Sequence, residues 1–274
     1  MRLFAIAMMK DEVDIADHIM YHFAQQGVDG LIIADNLSTD GTRTKLEEAK
    51  VNILARYPNM YVEILDDNIV AYTQGQKMSE LAAYAVTQGA TWVIPFDADE
   101  LWFSYCGTLK DGFRQLEYQG YRTAKVGYYD YRVTENDEDE EIPFVRLKYR
   151  KPDIVNFKTA FKYHDPTSIS NGNHFVFFNH NGSDRDESPS EDIIYIRHYG
   201  VRSREHFIKK YSNAYKACKA LPPNADLYNG AAWNLYFEAY EDGGEEGLGA
   251  AYDHNWKGTE GLLYDPSNFE PWEN

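Results

Sequence analysis

The sequence predicts an α/β fold in which a mostly parallel sheet, flanked by helices, is followed by an antiparallel half and C-terminal helices. Two observations predict it. In the first hundred residues, apolar runs alternate four times with helical segments, which is typical of parallel strands joined by crossovers. From about residue 120, short runs rich in Tyr, Val and Phe indicate antiparallel strands. A chain of 274 residues can build a sizeable core for such a domain.

Short apolar runs bounded by turn and cap residues define the parallel half. Asp11 can cap the first helix, and Gly27 ends it. Ser38, Thr39 and Asp40 are good N-caps for the second helix, because their side-chain oxygens accept hydrogen bonds from backbone N–H groups. The predicted strands cover about residues 2–9, 30–34, 60–65 and 91–96, and the later helices cover 43–57 and 73–88.

The second half is predicted to be antiparallel and to end in helices. Its strands are rich in aromatic and β-branched residues, and the acidic segments 135–141 and 181–188 between them read as exposed loops. A Gly-rich acidic stretch follows the last predicted helix. The predicted strands cover 121–133, 143–149, 156–163, 174–179 and 192–199, and the helices cover 203–221 and 225–240.

The charge of the chain excludes one class of partner. The formal net charge is −17 and the isoelectric point is near 4.8. Binding to the phosphate backbone of nucleic acid needs a basic surface, so we expect no nucleic acid partner. A small anionic substrate remains possible if a metal or a local cluster of Lys and Arg offsets the negative field.

The sequence predicts no membrane segment. The first apolar run is only about eight residues long before Lys10, and it lacks the cleavage region of a signal peptide. No later run approaches the roughly 20 apolar residues of a transmembrane helix. The two cysteines, Cys106 and Cys218, have no metal-ligand spacing and favour a reducing compartment. We therefore expect a soluble cytoplasmic protein.

The most informative stretch is 92–102, in which an apolar run delivers three acids within four positions. Such a run, bounded by Gly89 and the acids, predicts a central strand buried on both faces. Asp97 and Asp99 are two positions apart, so in an extended chain they share a face and could both bind one divalent cation. Glu100 completes the acidic pattern. An alternative is that the acids are only turn residues at a solvated strand end.

Polar residues follow three of the predicted strands, and parallel strands bring their ends to one crevice. Lys10-Asp11-Glu12 follows the first strand, Asp35-Asn36 the second, and the acids at 97–100 the fourth. A carboxylate after the second strand can accept hydrogen bonds from a base edge or a ribose, and paired acids can hold a metal against a diphosphate. Asp35 and Asp40 could instead be only turn and cap residues.

Five motifs, taken in chain order, carry a family resemblance. They are Met9-Lys10-Asp11-Glu12, Tyr21-His22, Asp35-Asn36-x-Ser38-x-Asp40-Gly41-Thr42, Trp92-x-x-Pro95-x-Asp97-x-Asp99-Glu100, and Ile196-Arg197-His198-Tyr199 followed by Arg202-Ser203 and Phe207-x-x-Lys210. This order resembles the family 2-like glycosyltransferases with a GT-A fold, in particular a subgroup that begins with a strand, Lys-Asp/Asn-Glu and a helix containing Tyr-His. The resemblance covers about residues 2–210 and implies a GT-A-like nucleotide-binding sheet.

The resemblance implies a donor site for a UDP- or GDP-sugar across the sheet edge, with Asp35 at the nucleoside. It implies that Asp97 and Asp99 form an Asp-x-Asp pair that meets Mn²⁺ or Mg²⁺ and the diphosphate. His198 would complete the metal site, since imidazole is an acceptable ligand for Mn²⁺, although a lone histidine at a strand end can be structural. Further candidate contacts to the nucleotide sugar are Lys10, Glu12, Asn36, Gln76 and Lys77, although Lys10, Gln76 and Lys77 could each be only a surface residue.

The activity implied by the resemblance is sugar transfer to a hydroxyl of a glycan or other carbohydrate acceptor, with inversion by direct displacement. Asp97, Asp99 and Glu100 form the expected catalytic group, in which the metal stabilises the leaving diphosphate. Trp102 is predicted to line the acceptor groove, because aromatic rings stack on sugars. The expected domains are a catalytic domain at 1–202, divided into a nucleotide-binding half at 1–105 and an acceptor half at 106–202, and a helical extension at 203–274.

The base that takes the proton of the acceptor hydroxyl is left open by the sequence. A carboxylate or an imidazole near the sugar can do this work. The candidates are Glu100, which lies close to the metal pair, His164 and His174 in the antiparallel half, and Asp186 or Glu187 in an acidic loop.

Two other functions compete with sugar transfer. Phosphatases of the haloacid dehalogenase kind also carry an Asp-x-Asp after a buried strand and use the first Asp as a nucleophile. That signature normally follows the first strand, however, whereas the acids here follow the fourth. A non-catalytic protein that binds a nucleotide sugar with the same fold is the third possibility, and the sequence does not separate it from an enzyme.

Overall fold

The computed structural model describes residues 1–163, 167–178, 187–189, 192–222, 231–255 and 259–272. Strands and helices alternate strictly through the first 95 residues, as the sequence predicts. In chain order the elements are β1 Leu3–Met9, α1 Ala16–Gln25, β2 Gly30–Asp35, α2 Thr42–Arg56, β3 Tyr61–Asp66, α3 Gln74–Thr87, β4 Trp92–Pro95, β5 Glu100–Ser104, α4 Leu109–Tyr118, β6 Thr123–Arg132, α5 Pro143–Arg146, β7 Tyr149–Arg150, β8 Asn156–Lys162, β9 Thr167–Ile169, β10 Val176–Phe178, β11 Glu187–Pro189, β12 Ile194–His198, α6 Arg204–Lys219, α7 Ala231–Asn255 and β13 Leu263–Tyr264.

The main sheet has a parallel half and an antiparallel half. Strands β4, β1, β2 and β3 are neighbours in that order and pair in parallel. On the other side of β4, strands β8, β6, β7 and β13 follow as antiparallel neighbours. Strand β12 pairs antiparallel with β5 and parallel with β6. The predicted α/β fold class, with its parallel sheet, antiparallel half and C-terminal helices, is confirmed.

The central strands are apolar throughout because helices cover both faces of the sheet. Strands β1, β2 and β4 are buried along almost their whole length. Side chains alternate between two hydrophobic clusters: Leu3, Ala5 and Ala7 pack with α1 and α2, whereas Phe4 and Ile6 pack with α3. This rigid half of the sheet positions the strand ends that form the site.

The turn after β1 differs from the prediction. Asp11 does not cap α1, because its backbone is left-handed with φ 55° and the helix begins only at Ala16. The Asp11 carboxylate instead accepts hydrogen bonds from the backbone N–H of Thr39 at 2.7 Å and from the amide of Asn213 at 2.9 Å. Asp11 therefore ties the turn after β1 to the turn after β2 and to α6.

The predicted caps of α2 are used in different ways. Oδ1 of Asp40 accepts hydrogen bonds from the N–H and the hydroxyl of the first helical residue at 3.0 and 2.6 Å. Gly41 occupies the N-cap position, with a left-handed φ of 101°. Ser38 and Thr39 form hydrogen bonds with Asp11 instead. The prediction that a helix starts here is confirmed, and Asp40 is the side chain that accepts hydrogen bonds from the first residue of the helix.

Two predictions about the second half are wrong, and two elements were not predicted. Segment 143–149 is mostly the short helix α5, with β7 beginning only at its end. Strand β5 and helix α4 were not predicted, although Thr108 and Asp111 form a capping box at the start of α4. The last helix does not end near residue 240 but continues to Asn255, with a break at Gly244, and its predicted beginning at 225–230 lies outside the described residues.

Loss of the capping box is expected to weaken α4 measurably. In Thr108→Ala the N–H of Asp111 loses its side-chain acceptor, so we expect the free energy of unfolding to fall by about 1 kcal/mol. Urea denaturation measures this change. Thr87→Ala is the control, because that exposed threonine bonds only to the carbonyl of its own helix and to the neighbouring Gln88. A smaller effect at residue 108 than at residue 87 would contradict the role of the cap.

The C-terminal part of the chain returns to the sheet. Helices α6 and α7 pack through a small apolar cluster that includes Phe207 and Tyr236. After α7, strand β13 pairs with β7, and Trp272 stacks on Tyr21 of α1 with ring centroids 4.4 Å apart. The predicted domain boundary between residues 202 and 203 stays a prediction. Across the described ranges, no helix is both long and apolar enough to span a membrane.

Candidate active site

A cleft of about 470 Å³ lies at the carboxyl ends of β1 and β4, where the sequence predicts the site. A smaller pocket of about 140 Å³ adjoins it toward the end of β2, between the sheet edge and α6. Met8, Lys10 and Tyr72 line both spaces. The charged and imidazole side chains that line the cleft are Lys10, Glu12, Asp97, Asp99, Asp130, Arg132, Lys151, Lys158, His174, His198 and Lys210.

The two acids of the Asp-x-Asp motif have different surroundings. The chain turns after β4, so Asp97 and Asp99 do not share one face of an extended strand. Asp97 accepts hydrogen bonds from the amide of Gln74 at 2.9 Å, from the amide of Asn173 at 3.0 Å and from the ammonium of Lys158. Three donors hold this carboxylate, and Asp97 is not part of the group of metal-type ligands described next.

Asp99 and His198 each direct one possible metal-ligating atom toward the other. Asp99 is buried, with one carboxylate oxygen, Oδ2, accepting a hydrogen bond from Lys210 at 2.6 Å. Its other oxygen, Oδ1, has no hydrogen-bond partner among the described residues and lies 3.7 Å from Nε2 of His198. Ligand atoms of Asp99, Glu100 and His198 all lie within 4.8 Å of one another.

Strand register explains how a histidine a hundred residues away reaches the acids. β12 lies between β5 and β6, which places His198 opposite Glu100 on one side and Asp130 on the other. Nδ1 of His198 donates a hydrogen bond to Oδ1 of Asp130 at 3.0 Å. That bond fixes the ring with Nε2 toward Asp99, the arrangement in which a second carboxylate orients a metal-binding histidine.

The residues present fit a divalent cation. A carboxylate oxygen without a partner and an imidazole nitrogen oriented by a carboxylate are donors that Mn²⁺ accepts, and a carboxylate oxygen also suits Mg²⁺. Asp99 and His198 would hold the ion, and both residues line the cleft. Burial opposes a charge on His198, but Asp99 and Asp130 raise its pKa above the ordinary value, so a metal at Nε2 would compete with protonation.

Glu100 is an internal support of the site. It is completely buried, and its Oε2 accepts hydrogen bonds from the indole N–H of Trp102 at 3.3 Å and from the backbone N–H of Asp97 at 3.2 Å. Its Oε1 lies 2.7 Å from the ammonium of Lys158. Burial raises the pKa of Glu100 above its ordinary value. These contacts fix the turn that carries the two aspartates.

The buried Lys158 and the partly exposed Lys210 supply positive charge next to the acids. The Lys158 side chain is 4% exposed and bridges Asp97 and Glu100. Lys210 donates to Asp99 and, at 2.9 Å, to the carbonyl of Gly200. Burial disfavours both ammonium charges, but the neighbouring carboxylates raise the pKa of each lysine above its ordinary value. Both remain charged at neutral pH, so they offset part of the negative charge of the acids at the site.

The predicted nucleoside side is partly pre-organised. Asp35 is buried, and its Oδ1 has no hydrogen-bond partner among the described residues. The amide of Asn36 donates hydrogen bonds to Oδ2 of Asp67 at 2.9 Å and to the carbonyl of Ile69 at 2.7 Å. Lys10 donates to the carbonyl of Asn36 at 2.9 Å. Asn36 therefore shapes the loop after β3, and Lys10 lines both spaces, whereas the buried Asp35 is not among the residues that line either of them.

Three predicted nucleotide contacts are engaged elsewhere. Gln76 is on the exposed face of α3 and donates a hydrogen bond to Glu80, and the structure places Gln74 at the cleft instead, two positions earlier on the helix. Lys77 pairs with Asp67 and Glu80, both at 3.3 Å. Glu12 lines the cleft but pairs with the buried Arg202.

Other sequence-based candidates have mixed outcomes. Trp102 is completely buried and does not line the cleft, so the prediction that it contacts an acceptor is wrong. Strand β5 turns its indole into the core next to Glu100. His174 does line the cleft. His164 and Asp186 lie outside the described residues, as does the side chain of Glu187.

Sequence reasoning missed Lys158 and Asp130 and gave Lys210 no role. Lys158 had a readable signal, since it interrupts an aromatic and β-branched strand, and a buried ammonium needs a charged partner. Asp130 had a similar signal in β6. Neither signal identifies the partner, because the pairs form across strand registers that the sequence does not encode locally.

Comparisons with known proteins give no family. No family model matches the sequence, and no curated protein matches it. Among solved structures, a mycobacterial protein is similar at a TM-score of 0.38 and 12% identity, over 85% of this chain and 81% of that one. A CMP:2-keto-3-deoxy-manno-octonic acid synthetase complexed with CTP is similar at a TM-score of 0.31 and 11% identity, over 59% of this chain and 74% of that one. A 4-diphosphocytidyl-2C-methyl-D-erythritol synthase is similar at a TM-score of 0.29 and 10% identity, over 59% of this chain and 73% of that one. Likenesses with TM-scores below 0.5 carry no argument about activity.

Proposed function

We propose that this protein is a metal-dependent glycosyltransferase that moves a sugar from a UDP- or GDP-sugar to a hydroxyl of a carbohydrate acceptor. One observation carries the proposal. Oδ1 of Asp99 and Nε2 of His198 face each other 3.7 Å apart in a cleft at the carboxyl ends of parallel strands, next to the ammonium groups of Lys158 and Lys210. That combination suits a diphosphate held by a cation, and the motifs of the chain resemble those of family 2-like glycosyltransferases.

Different residues along the sheet edge would contact the nucleoside, the diphosphate and the acceptor. The resemblance assigns the nucleoside to Asp35 at the end of β2, and Lys10 and Asn36 line the pocket beside it. Lys210 lies between the two spaces and can contact the diphosphate, since two of its three ammonium hydrogens are used by Asp99 and Gly200. A bound divalent cation would act as a Lewis acid toward the departing diphosphate. The acceptor then enters from the antiparallel half, past Tyr128 and Lys151.

Phosphatase chemistry of the haloacid dehalogenase kind is less well supported. It needs a nucleophilic oxygen on the first acid of the motif. Here that acid is Asp97, and its carboxylate is held by Gln74, Asn173 and Lys158. A carboxylate in these bonds is a weak nucleophile, so the geometry favours a supporting role for Asp97.

Nucleotide release tests the proposed function. The protein is incubated with UDP-glucose, UDP-galactose, UDP-N-acetylglucosamine or GDP-mannose, with Mn²⁺ or Mg²⁺, and with simple glycosides as acceptors. Release of UDP or GDP that depends on the cation supports the proposal. Hydrolysis of p-nitrophenyl phosphate without nucleotide release would favour the phosphatase. Calorimetric binding of UDP or GDP with Mn²⁺, but no turnover with any pair, would favour the non-catalytic alternative.

The orientation of His198 is testable through the metal. In Asp130→Ala the imidazole loses the carboxylate that fixes Nε2 toward Asp99, so Mn²⁺ affinity is expected to fall about 10–100-fold. Calorimetric titration of Mn²⁺ in the presence of UDP measures it. The control is Glu117→Ala, which removes a carboxylate paired with Lys162 outside the cleft. Equal affinities in both variants would contradict the assignment.

A further inference from the structure

His174 lines the cleft, and one of its two ring nitrogens forms a hydrogen bond to the backbone. Its Nδ1 is 2.6 Å from the carbonyl oxygen of Phe157, on β8. A carbonyl oxygen only accepts hydrogen bonds, so Nδ1 must carry the hydrogen. In the neutral ring Nε2 then holds a lone pair. Among the described residues Nε2 has no hydrogen-bond partner. Nε2 of His174 can therefore act as a proton acceptor.

The backbone around His174 leaves little freedom for the ring. Its carbonyl accepts a hydrogen bond from the hydroxyl of Thr159 at 2.8 Å. Gly172 has a left-handed φ of 73°, and a Cβ there would lie 2.7 Å from Nε2 of His174. The N–H of Gly172 in turn donates to Oε1 of Gln74 at 2.8 Å. Gln74 also bonds to Asp97, so the segment that carries His174 is tied to the acidic turn.

Three of the four carboxylates that line the cleft are held by cationic partners, and the fourth, Asp99, is the one proposed to hold the cation. Asp97 and Glu12 are paired with Lys158 and Arg202 respectively. Asp130 contacts His198, Arg132 at 3.3 Å and Lys151 at 3.3 Å. An ion-paired carboxylate is a poor proton acceptor, because protonation would leave its cationic partner without a counter-charge. The uncommitted Nε2 of His174 is therefore the better base.

The charges around His174 keep the ring neutral. The groups that face it are Lys158 on β8, Asp97 after β4 and His198 on β12. Burial lowers the pKa of His174 below the ordinary value of 6.5, and the positive charge of Lys158 lowers it further. Asp97 acts in the opposite direction but does not reverse the shift. At neutral pH the lone pair is therefore available.

We infer that His174 is the catalytic base of the sugar transfer. The inference rests on the proposed function. Nε2 takes the proton from the acceptor hydroxyl while the acceptor oxygen forms a bond to the anomeric carbon. The bond between that carbon and the phosphate oxygen breaks, and its electron pair leaves with the nucleoside diphosphate. The imidazolium then returns its proton to water, so no further reagent is needed.

His174→Asn tests the inference with the least disturbance. The Asn amide can replace Nδ1 as the donor to the Phe157 carbonyl, but it offers no basic nitrogen. We expect kcat to fall about 10²–10⁴-fold with the KM for the UDP- or GDP-sugar nearly unchanged. The control His254→Asn changes an exposed histidine of α7 and is expected to leave kcat unchanged. Calorimetric binding of UDP with Mn²⁺ reports whether the donor site is intact.

The pH profile separates a base from a structural residue. In the wild type, kcat/KM rises with pH as His174 loses its proton, with a midpoint below the ordinary histidine value of 6.5. His174→Asn is expected to lose this acidic limb. An independent readout is the ¹⁵N shift of the His174 ring, which reports whether the hydrogen is on Nδ1.

The outcomes distinguish this inference from the proposed function. A wild-type protein that consumes no nucleotide sugar overturns both. An active wild type whose His174→Asn variant keeps its kcat or its acidic limb overturns the role of His174 alone. A variant that fails to bind UDP with Mn²⁺ has a damaged donor site, and a positioning role is then indicated in place of the base.

Discussion

Asp99→Asn is expected to reduce the turnover number by about a thousandfold at saturating nucleotide sugar. Oδ1 of Asp99 faces Nε2 of His198 without a hydrogen-bond partner among the described residues, so its charge is what would hold a cation there. Asparagine has the same size and keeps an oxygen for Lys210, so the fold should be retained. Nucleotide release as a function of Mn²⁺ concentration measures the effect.

Asp97→Asn is the matched comparison. The sequence predicts both acids of the motif as metal ligands, whereas the structure surrounds Asp97 with Gln74, Asn173 and Lys158. We therefore expect Asp97→Asn to lower turnover through a displaced Lys158 while Mn²⁺ affinity stays close to that of the wild type. If the two variants lose Mn²⁺ affinity equally, the distinction between the acids is wrong. Circular dichroism of both confirms that they are folded.

The sequence predicts well what depends on short-range pattern. Strands β1, β2 and β4 are uninterrupted apolar runs because both faces of the sheet are covered, and polar residues start where each run ends. That pattern predicts the parallel half and places Asp35, Asp97 and Asp99 at one edge. The prediction of a strand at 143–149 is wrong because a short apolar run does not distinguish a strand from one turn of helix.

The partners of the acids depend on long-range register and could not be predicted. Lys158 and Asp97 are separated by 61 residues, and Lys210 and Asp99 by 111. Each pair exists only because β8 lies beside β4 and because α6 crosses the strand ends. A local pattern shows that a buried lysine needs a carboxylate, but not which carboxylate it meets.

Helix α6 belongs to the site although the sequence treats it as an extension. Lys209 pairs with Asp40 at 2.6 Å, Lys210 pairs with Asp99, and Asn213 bonds to Asp11. These contacts reach the turns after β1, β2 and β4, so one helix covers all three predicted strand ends. The residue that fixes the beginning of this helix should therefore have a large effect on stability.

Arg202→Met is expected to lower the free energy of unfolding by about 3 kcal/mol. The Arg202 side chain is 1% exposed and contacts Glu12 and, at 2.7 and 2.9 Å, both oxygens of Asp14. Methionine fills similar space but leaves the largely shielded Glu12 without its arginine counter-charge. Urea denaturation measures the change. Arg114→Met is the control, because its pair with Asp111 is exposed and is worth little.

The pH dependence identifies charge as the cause of that loss. Burial alone would raise the pKa of Glu12 and of Asp14, but Arg202 holds both below their ordinary values of 4.5 and 3.8. A lowered folded-state pKa contributes stability above the unfolded value and loses it as pH falls through the folded one. The difference between wild type and Arg202→Met should therefore be full at pH 7 and shrink below about pH 4. A difference that stays constant with pH would instead indicate lost packing, since the arginine stem also fills the core beside α6.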